Sequence, residues 1–101
     1  MKIAIFAYSR QGCCTARKVM SCFPEADFKA HTVERFAEKG FRPICCPTKP
    51  FYGELFNWAD TLIFIGSCGI AVREIAPHMR DKQTDPAVVC IDELGRFVIP
   101  L

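Results

Sequence analysis

Gly66-Ser67-Cys68-Gly69 stands between an apolar run and a stretch with helical spacing. Glycines at such a junction let backbone N–H groups approach a ligand, and the N-terminus of the following helix favours negative charge. The N–H groups from Ser67 to Ile70 are therefore candidates for holding an anion. Arg73, one helical turn beyond Gly69, could add a charge-assisted contact to a carboxylate or phosphate. The same residues also suit a plain tight turn with a surface arginine. The motif is neither G-x-G-x-x-G nor a phosphate loop ending in Lys-Ser or Lys-Thr.

Three further segments carry chemical groups. Arg80-Asp81-Lys82-Gln83-Thr84-Asp85-Pro86 is dense in hydrogen-bonding side chains, and loops on a rigid scaffold often hold functional residues. It also reads as a solvated connection, with Asp85-Pro86 as turn chemistry. Asp92-Glu93, followed by Gly95 and Arg96, could supply a base or a hairpin turn. Ser9-Arg10-Gln11-Gly12-Cys13-Cys14 places thiols where a helix start could lower their pKa. His31 and His78 are isolated, so no cysteine–histidine pair is evident.

The chain has 101 residues, half of them hydrophobic and 24% charged, which suits one small domain with a modest core. A net charge of +2 argues against a nucleic-acid binder. The uncharged run at residues 3–8 is too short to span a membrane or to form most signal-peptide cores, so a cytoplasmic protein is expected. Seven cysteines, without C-x-x-C spacing, argue against a disulfide framework or a zinc site. Reduced, mostly buried thiols are expected.

The elements that must position these groups follow from the apolar patterning. Residues 2–8 (KIAIFAY), 61–65 (TLIFI) and 87–92 (AVVCID) read as buried strands, and 26–32 as a more exposed one. Residues 9–12 read as a turn, followed by helix at 13–22 with Ala16, Val19 and Met20 on one face. Short helices are expected at 33–39, stopped by Gly40, and at 51–58, with Leu55, Phe56 and Trp58 inward. The intervening segment 41–50 holds three prolines and reads mostly as loop. A helix over 70–78 should fray or kink at Pro77. Residues 96–101 form a last extended segment, with 93–95 as a hairpin turn. Strands alternating with helices imply an α/β domain: a mostly parallel open sheet flanked by helices, Rossmann- or flavodoxin-like, in three layers.

From Asp60 onward the segments combine. DTLIFIGSCGIAVREIAPHMRDKQTDPAVVCIDELGRFVIPL resembles the N-terminal segment of cobalt-precorrin-5A hydrolases of anaerobic cobalamin biosynthesis. The matching elements are IFIGSCGIAVR, the IAP near the helix end, DK…TDPAVV and the D-E-x-G-R-F-V-I-P-L ending. Residues 1–59 match loosely, through a first strand, a turn with Gly12 and a helix. In the family the chain continues with Ser-Gly-His and Gly-Gly-Ala-Asn segments, a linker and a larger C-terminal region. Cys68 stands where relatives often carry alanine or another small residue.

The resemblance implies that residues 1–101 are the N-terminal α/β domain of such an enzyme, with the linker and C-terminal region absent. The family acts on a cobalt-bearing corrinoid with acetate and propionate arms. Water attacks its δ-lactone, and the freed alkoxide collapses to release acetaldehyde. This needs an activated water, oxyanion stabilisation and an acid for the ring carbon. Candidate substrate-binding groups are Gly66, Ser67, Cys68, Gly69, Ile70, Arg73, Lys82 and Arg96. Asp85 and Asp92 are the acid/base candidates, and no residue-level catalytic roles come with the resemblance. No cofactor or metal of its own is expected, since cobalt arrives with the substrate. Expected partners are the corrinoid and the C-terminal region, with a homodimer through an open sheet edge as a further option. Two alternatives stay open: a non-catalytic module that packs on the C-terminal region or another corrin-pathway protein, and an unrelated flavodoxin-like nucleotide or flavin binder.

Overall fold

The computed structural model describes residues 1–37 and 40–101. The chain runs β1 (Lys2–Ala7), α1 (Arg10–Ser21), β2 (Asp27–Thr32), β3 (Arg42–Pro43), α2 (Thr48–Trp58), β4 (Thr61–Ile65), α3 (Cys68–Ile75), β5 (Ala87–Ile91) and β6 (Val98–Pro100). The strands form one sheet in the order β3-β2-β1-β4-β5-β6. All neighbours are parallel except β5 and β6, which form the expected antiparallel hairpin.

The two most apolar runs become the centre of the sheet. β1 pairs with both β2 and β4, and Ala4, Ile5, Phe6 and Ala7 are fully buried. A parallel strand covered on both faces needs a continuous apolar sequence, and IAIFA supplies it. Alternate residues then serve different layers. Phe6, Leu62 and Phe64 pack against Leu55 and Phe56 of α2 and Ala71 and Ile75 of α3. Ile5, Ala7, Ile63 and Ile65 pack against Cys13 and Ala16 of α1. The Phe6 and Phe64 rings stack with centroids 4.8 Å apart. Each such buried side chain contributes roughly 1.5–3 kcal/mol.

Several boundaries differ from the sequence expectation. Residues 10–12 are not a turn: Ser9 caps α1 by accepting the Gly12 N–H at 2.9 Å, so the helix starts at Arg10. α2 begins at Thr48 and takes Pro50 into its first turn, where a missing N–H costs nothing. The segment before it also contributes the short edge strand β3. The helix expected at 33–39 is a single 3-10 turn, Glu34–Phe36, and positions 38 and 39 lie outside the described residues. α3 starts at Cys68, because Ser67 caps it, and gives way to a 3-10 turn at Ala76–His78 around Pro77. Trp58 is only half-buried; its ring lies under the Lys29 ammonium at 4.3 Å. The thiols also depart from expectation: Cys13 and Cys90 are buried, but Cys14, Cys22, Cys45 and Cys46 are exposed, because they fall on helix faces and loops away from the sheet.

Candidate functional site

β2 and β4 lie on opposite sides of β1, and their crossovers run on opposite faces of the sheet. The strand order therefore reverses between β1 and β4, and a crevice opens at their carboxyl ends, the usual ligand position in open α/β sheets. Tyr8-Ser9-Arg10 leaves one strand there and Gly66-Ser67-Cys68 the other.

Gly66 makes the second exit possible. Its φ is +142°, a region side chains rarely adopt, and its N–H donates to the Ile91 carbonyl at 2.8 Å. A Cβ there would meet the Tyr8 ring at 3.8 Å, so the two exits touch. Ser67 caps α3, its Oγ accepting the Gly69 N–H at 3.1 Å, while its carbonyl takes the Ala71 N–H. That leaves the Cys68 and Ile70 N–H groups for a ligand. Cys68 itself is half-buried against Cys90 and adds a thiol to the wall. Arg73 is exposed in the last turn of α3, a turn away from these donors.

On the other side of β1, Arg10 is the first residue of α1. Its guanidinium lies 5.8 Å from the Phe36 ring, and that of Arg35 lies 4.9 Å from the same ring. Both cations border a concavity of about 400 Å³ with Cys13 and Cys14. Two guanidinium groups beside a helix N-terminus suit a carboxylate. Sequence spacing gave no hint of this pair, since Arg10 and Arg35 lie on separate elements brought together only by the β1–β2 pairing.

Tyr8 and Tyr52 also escaped the sequence reading. Their hydroxyls are 2.6 Å apart, at the α2 side of the crevice. Burial pushes the Tyr8 phenol far above its ordinary value, and burial likewise pushes Tyr52 up to about 12. Both remain proton donors at neutral pH. A tyrosine closing an apolar strand was the one available signal.

The remaining candidates divide between the two ends of the sheet. Asp92 and Arg96 are at the carboxyl end, in the β5–β6 turn. Asp92 accepts the N–H groups of Phe97 and Arg96, each at 2.6 Å, and of Leu94 at 3.3 Å. The Phe97 N–H contributes most to holding its carboxyl below the usual range. A carboxylate so engaged organises the hairpin, and Arg96 is 3.8 Å from it. Thr15 of α1 donates to the Glu93 carbonyl and ties the hairpin to the helix. Lys82 and Asp85 are elsewhere. The loop 80–86 leads into the first residue of β5, so it sits at the amino end, a strand length of about 15 Å from Gly66. Asp85 organises that loop, accepting the Arg80 and Asp81 N–H groups at 2.7 and 3.1 Å.

Other concavities lie outside the crevice. One of about 690 Å³ between β2 and α2 is bordered by Lys29, His31, Arg42 and Trp58. His31 there is lowered in pKa, chiefly by burial, and its Nδ1 has no partner. Among the described residues, no group of three or more His, Cys, Asp or Glu side chains is placed to hold a metal. No helix among them is long and apolar enough to cross a membrane.

Comparison with known proteins gives a consistent picture. The profile of the family described as Cobalamin synthesis G N-terminal matches residues 51–101. A cobalt-precorrin-5A hydrolase of Salmonella typhimurium is 40% identical over 99 residues, covering 98% of this chain and 27% of that protein. A protein of the same name from Priestia megaterium is 34% identical over 101 residues, covering 95% of this chain and 26% of its own length. The chain thus spans about a quarter of the length of these curated relatives. A crystal structure of a cobalamin biosynthesis protein G homolog from Sulfolobus solfataricus superposes with a TM-score of 0.67 at 22% identity, over 99% of this chain and 28% of that one. That likeness supports the fold.

Proposed function

The chain belongs to the Cobalamin synthesis G N-terminal family, and on that premise we propose that it is the substrate-recognising N-terminal part of a cobalt-precorrin-5A hydrolase. The observation that carries this reading is the β1–β4 switch point, lined by backbone donors and arginines, within a chain whose relatives bear that name. The substrate is a cytoplasmic corrinoid with several carboxylate arms. The Cys68 and Ile70 N–H groups, with Arg73, take one arm. Arg10 and Arg35 take another across β1, and Arg96 stands at the hairpin rim.

In the reaction, water adds to the δ-lactone carbonyl and the ring C–O bond breaks. The released alkoxide becomes the carbonyl of acetaldehyde as its C–C bond to the macrocycle breaks. The electron pair stays on the ring carbon, which then takes a proton. The Tyr8 hydroxyl, at the crevice wall beside that of Tyr52, is better placed to pass on that proton than Asp92, whose carboxylate is occupied by the Arg96 and Phe97 N–H groups of the hairpin. Cobalt enters with the substrate, and the chain needs no cofactor of its own.

The test is an anaerobic titration of the chain with cobalt-precorrin-5A, following the corrinoid absorbance and assaying acetaldehyde in the same tube. Binding without acetaldehyde is expected, with affinity reduced in Arg10→Glu and Arg35→Glu. Absence of binding would remove substrate recognition from this domain. Binding indifferent to both arginines would move it elsewhere on the surface.

A further inference from the structure

The amino end of the sheet carries a surface that corrinoid recognition does not explain. The large apolar side chains that stay exposed, apart from Met1 and Phe23, all lie on α3, the turn after it and the β5–β6 hairpin. Val72, Met79 and Leu101 are each at least half exposed and line a groove of about 680 Å³ between α3 and the open end of the β5–β6 hairpin, where Ala87 and Leu101 form the far wall. Phe56, Ile75 and Val88 form its floor, so the groove opens directly onto the main core. Arg80, Lys82 and Asp85 make a polar rim. An apolar trough with a charged border is the composition of an interaction surface.

The edges of the sheet are unfavourable for strand addition. The Asp92 N–H donates to the Phe97 carbonyl and the Leu101 N–H to that of Val88, so alternate residues of β6 face β5. The outer edge is left with Val98 and Pro100, and Pro100 has no N–H. The opposite edge strand, β3, has Pro43. Short edges with proline are poor templates for a second strand. A docking partner here is better served by the face than by the edge.

We propose that the α3–β6 groove is the surface on which the polypeptide following this domain packs in full-length members of the family. The inference rests on the functional reading above, because the partner is the rest of the same enzyme. The relatives have about three quarters of their length outside the matched region, and the family description makes that region N-terminal. The match runs to Leu101, which is itself a wall of the groove. Polypeptide leaving that point starts in contact with the trough, so its effective concentration there is high. Lys82 and Asp85, far from the crevice, become rim contacts of this surface.

The test replaces the aligned region of the intact Salmonella enzyme with this chain and compares amide exchange in the chimera and in the free chain. Exchange in α3 and β6 should slow about tenfold or more in the chimera. Val72→Glu with Met79→Glu, both on exposed positions, should return it to the free-chain rate, while Phe23→Glu should not. Unchanged exchange in α3 and β6 overturns the proposal. So does a dimer of the free chain, seen by sedimentation, that the two glutamates abolish, because the occupant is then a second copy. Should the chimera not fold, the residue aligned with Met79 is changed to cysteine in the intact Salmonella enzyme. Slow maleimide labelling there, against fast labelling at the residue aligned with Phe23, supports docking; equal rates refute it. Corrinoid titration of the chimera separates the two readings: a protected groove without corrinoid binding sinks only substrate recognition, and the converse sinks only docking.

Discussion

At the carboxyl ends of β1 and β4, the exposed surface is made of N–H groups, arginines, serines and a turn glycine. At the amino end of β5, a strand length away, the exposed surface combines Val72, Met79 and Leu101 with a rim of Arg80, Lys82 and Asp85. The same strands and the same core support both. The difference comes from the segments that the strands lead into. β1 and β4 each lead into a helix start, α1 and α3, which leaves unpaired donors at that end of the sheet. At the other end, no helix covers the outer part of β5 and β6, so apolar side chains remain open. On the two proposals above, one end takes a small anionic ligand and the other a protein surface.

The comparison breaks if the two ends are not mechanically joined, and the largest effect tests that. Phe64 is fully buried between β4 and the α2–α3 layer. Phe64→Ala should cost about 3–5 kcal/mol, most of the stability of a small domain. Urea unfolding should show one transition, with both ends lost together; separate transitions would mean the ends fold independently.

Gly66→Ala sharpens the contrast. The positive φ makes any side chain strained, at roughly 1–3 kcal/mol. Melting temperature and corrinoid affinity should both fall, while amide exchange around Met79 and Leu101 should change only as the global stability does.

Tyr52→Phe removes one hydroxyl of the buried pair, at about 1 kcal/mol. The pair also predicts an alkaline limit. Both folded-state values lie above the ordinary tyrosine value of about 10. Their contribution is therefore complete below about pH 10 and is lost as pH rises through the folded-state values. Phenolate absorbance should appear together with unfolding, and ordinary titration near pH 10 would contradict the buried pair.

The smallest effect is confined to the hairpin. The Asp92 carboxyl is depressed, chiefly by the Phe97 N–H, so its contribution is present above the ordinary carboxylate value of about 3.9 and fades as pH falls below it. Protection of the Arg96 and Phe97 amides, relative to their intrinsic exchange rates, should be lost on acidification before that in β4 is. Asp92→Ala should show the same loss of protection at neutral pH.

Much of this architecture was readable from local pattern. TLIFI and IAIFA announced buried parallel strands, and ELG between AVVCID and RFVIPL announced a hairpin. Helix starts were less legible. Ser9 and Ser67 lie in segments that read as turns, yet each caps a helix, because a cap is also a turn residue until the following backbone is known. Around Pro47 and Pro50, proline density suggested loop, but Pro50 falls in a first helical turn where it does no harm. The four exposed cysteines show the reverse failure: composition suggests burial, and position decides it.

For the site, the sequence by itself determined that Gly66-Ser67 would stand between a strand and a helix, because that depends on neighbours in the chain. It could not determine that Arg10 and Arg35 would share the Phe36 ring, that Tyr8 would meet Tyr52, or that Lys82 would stand a strand length from Gly66. Those outcomes depend on the order of strands in the sheet and on which end of a strand each loop meets. Order and polarity are set by how the whole chain closes over its two core layers, and no local run of residues encodes them.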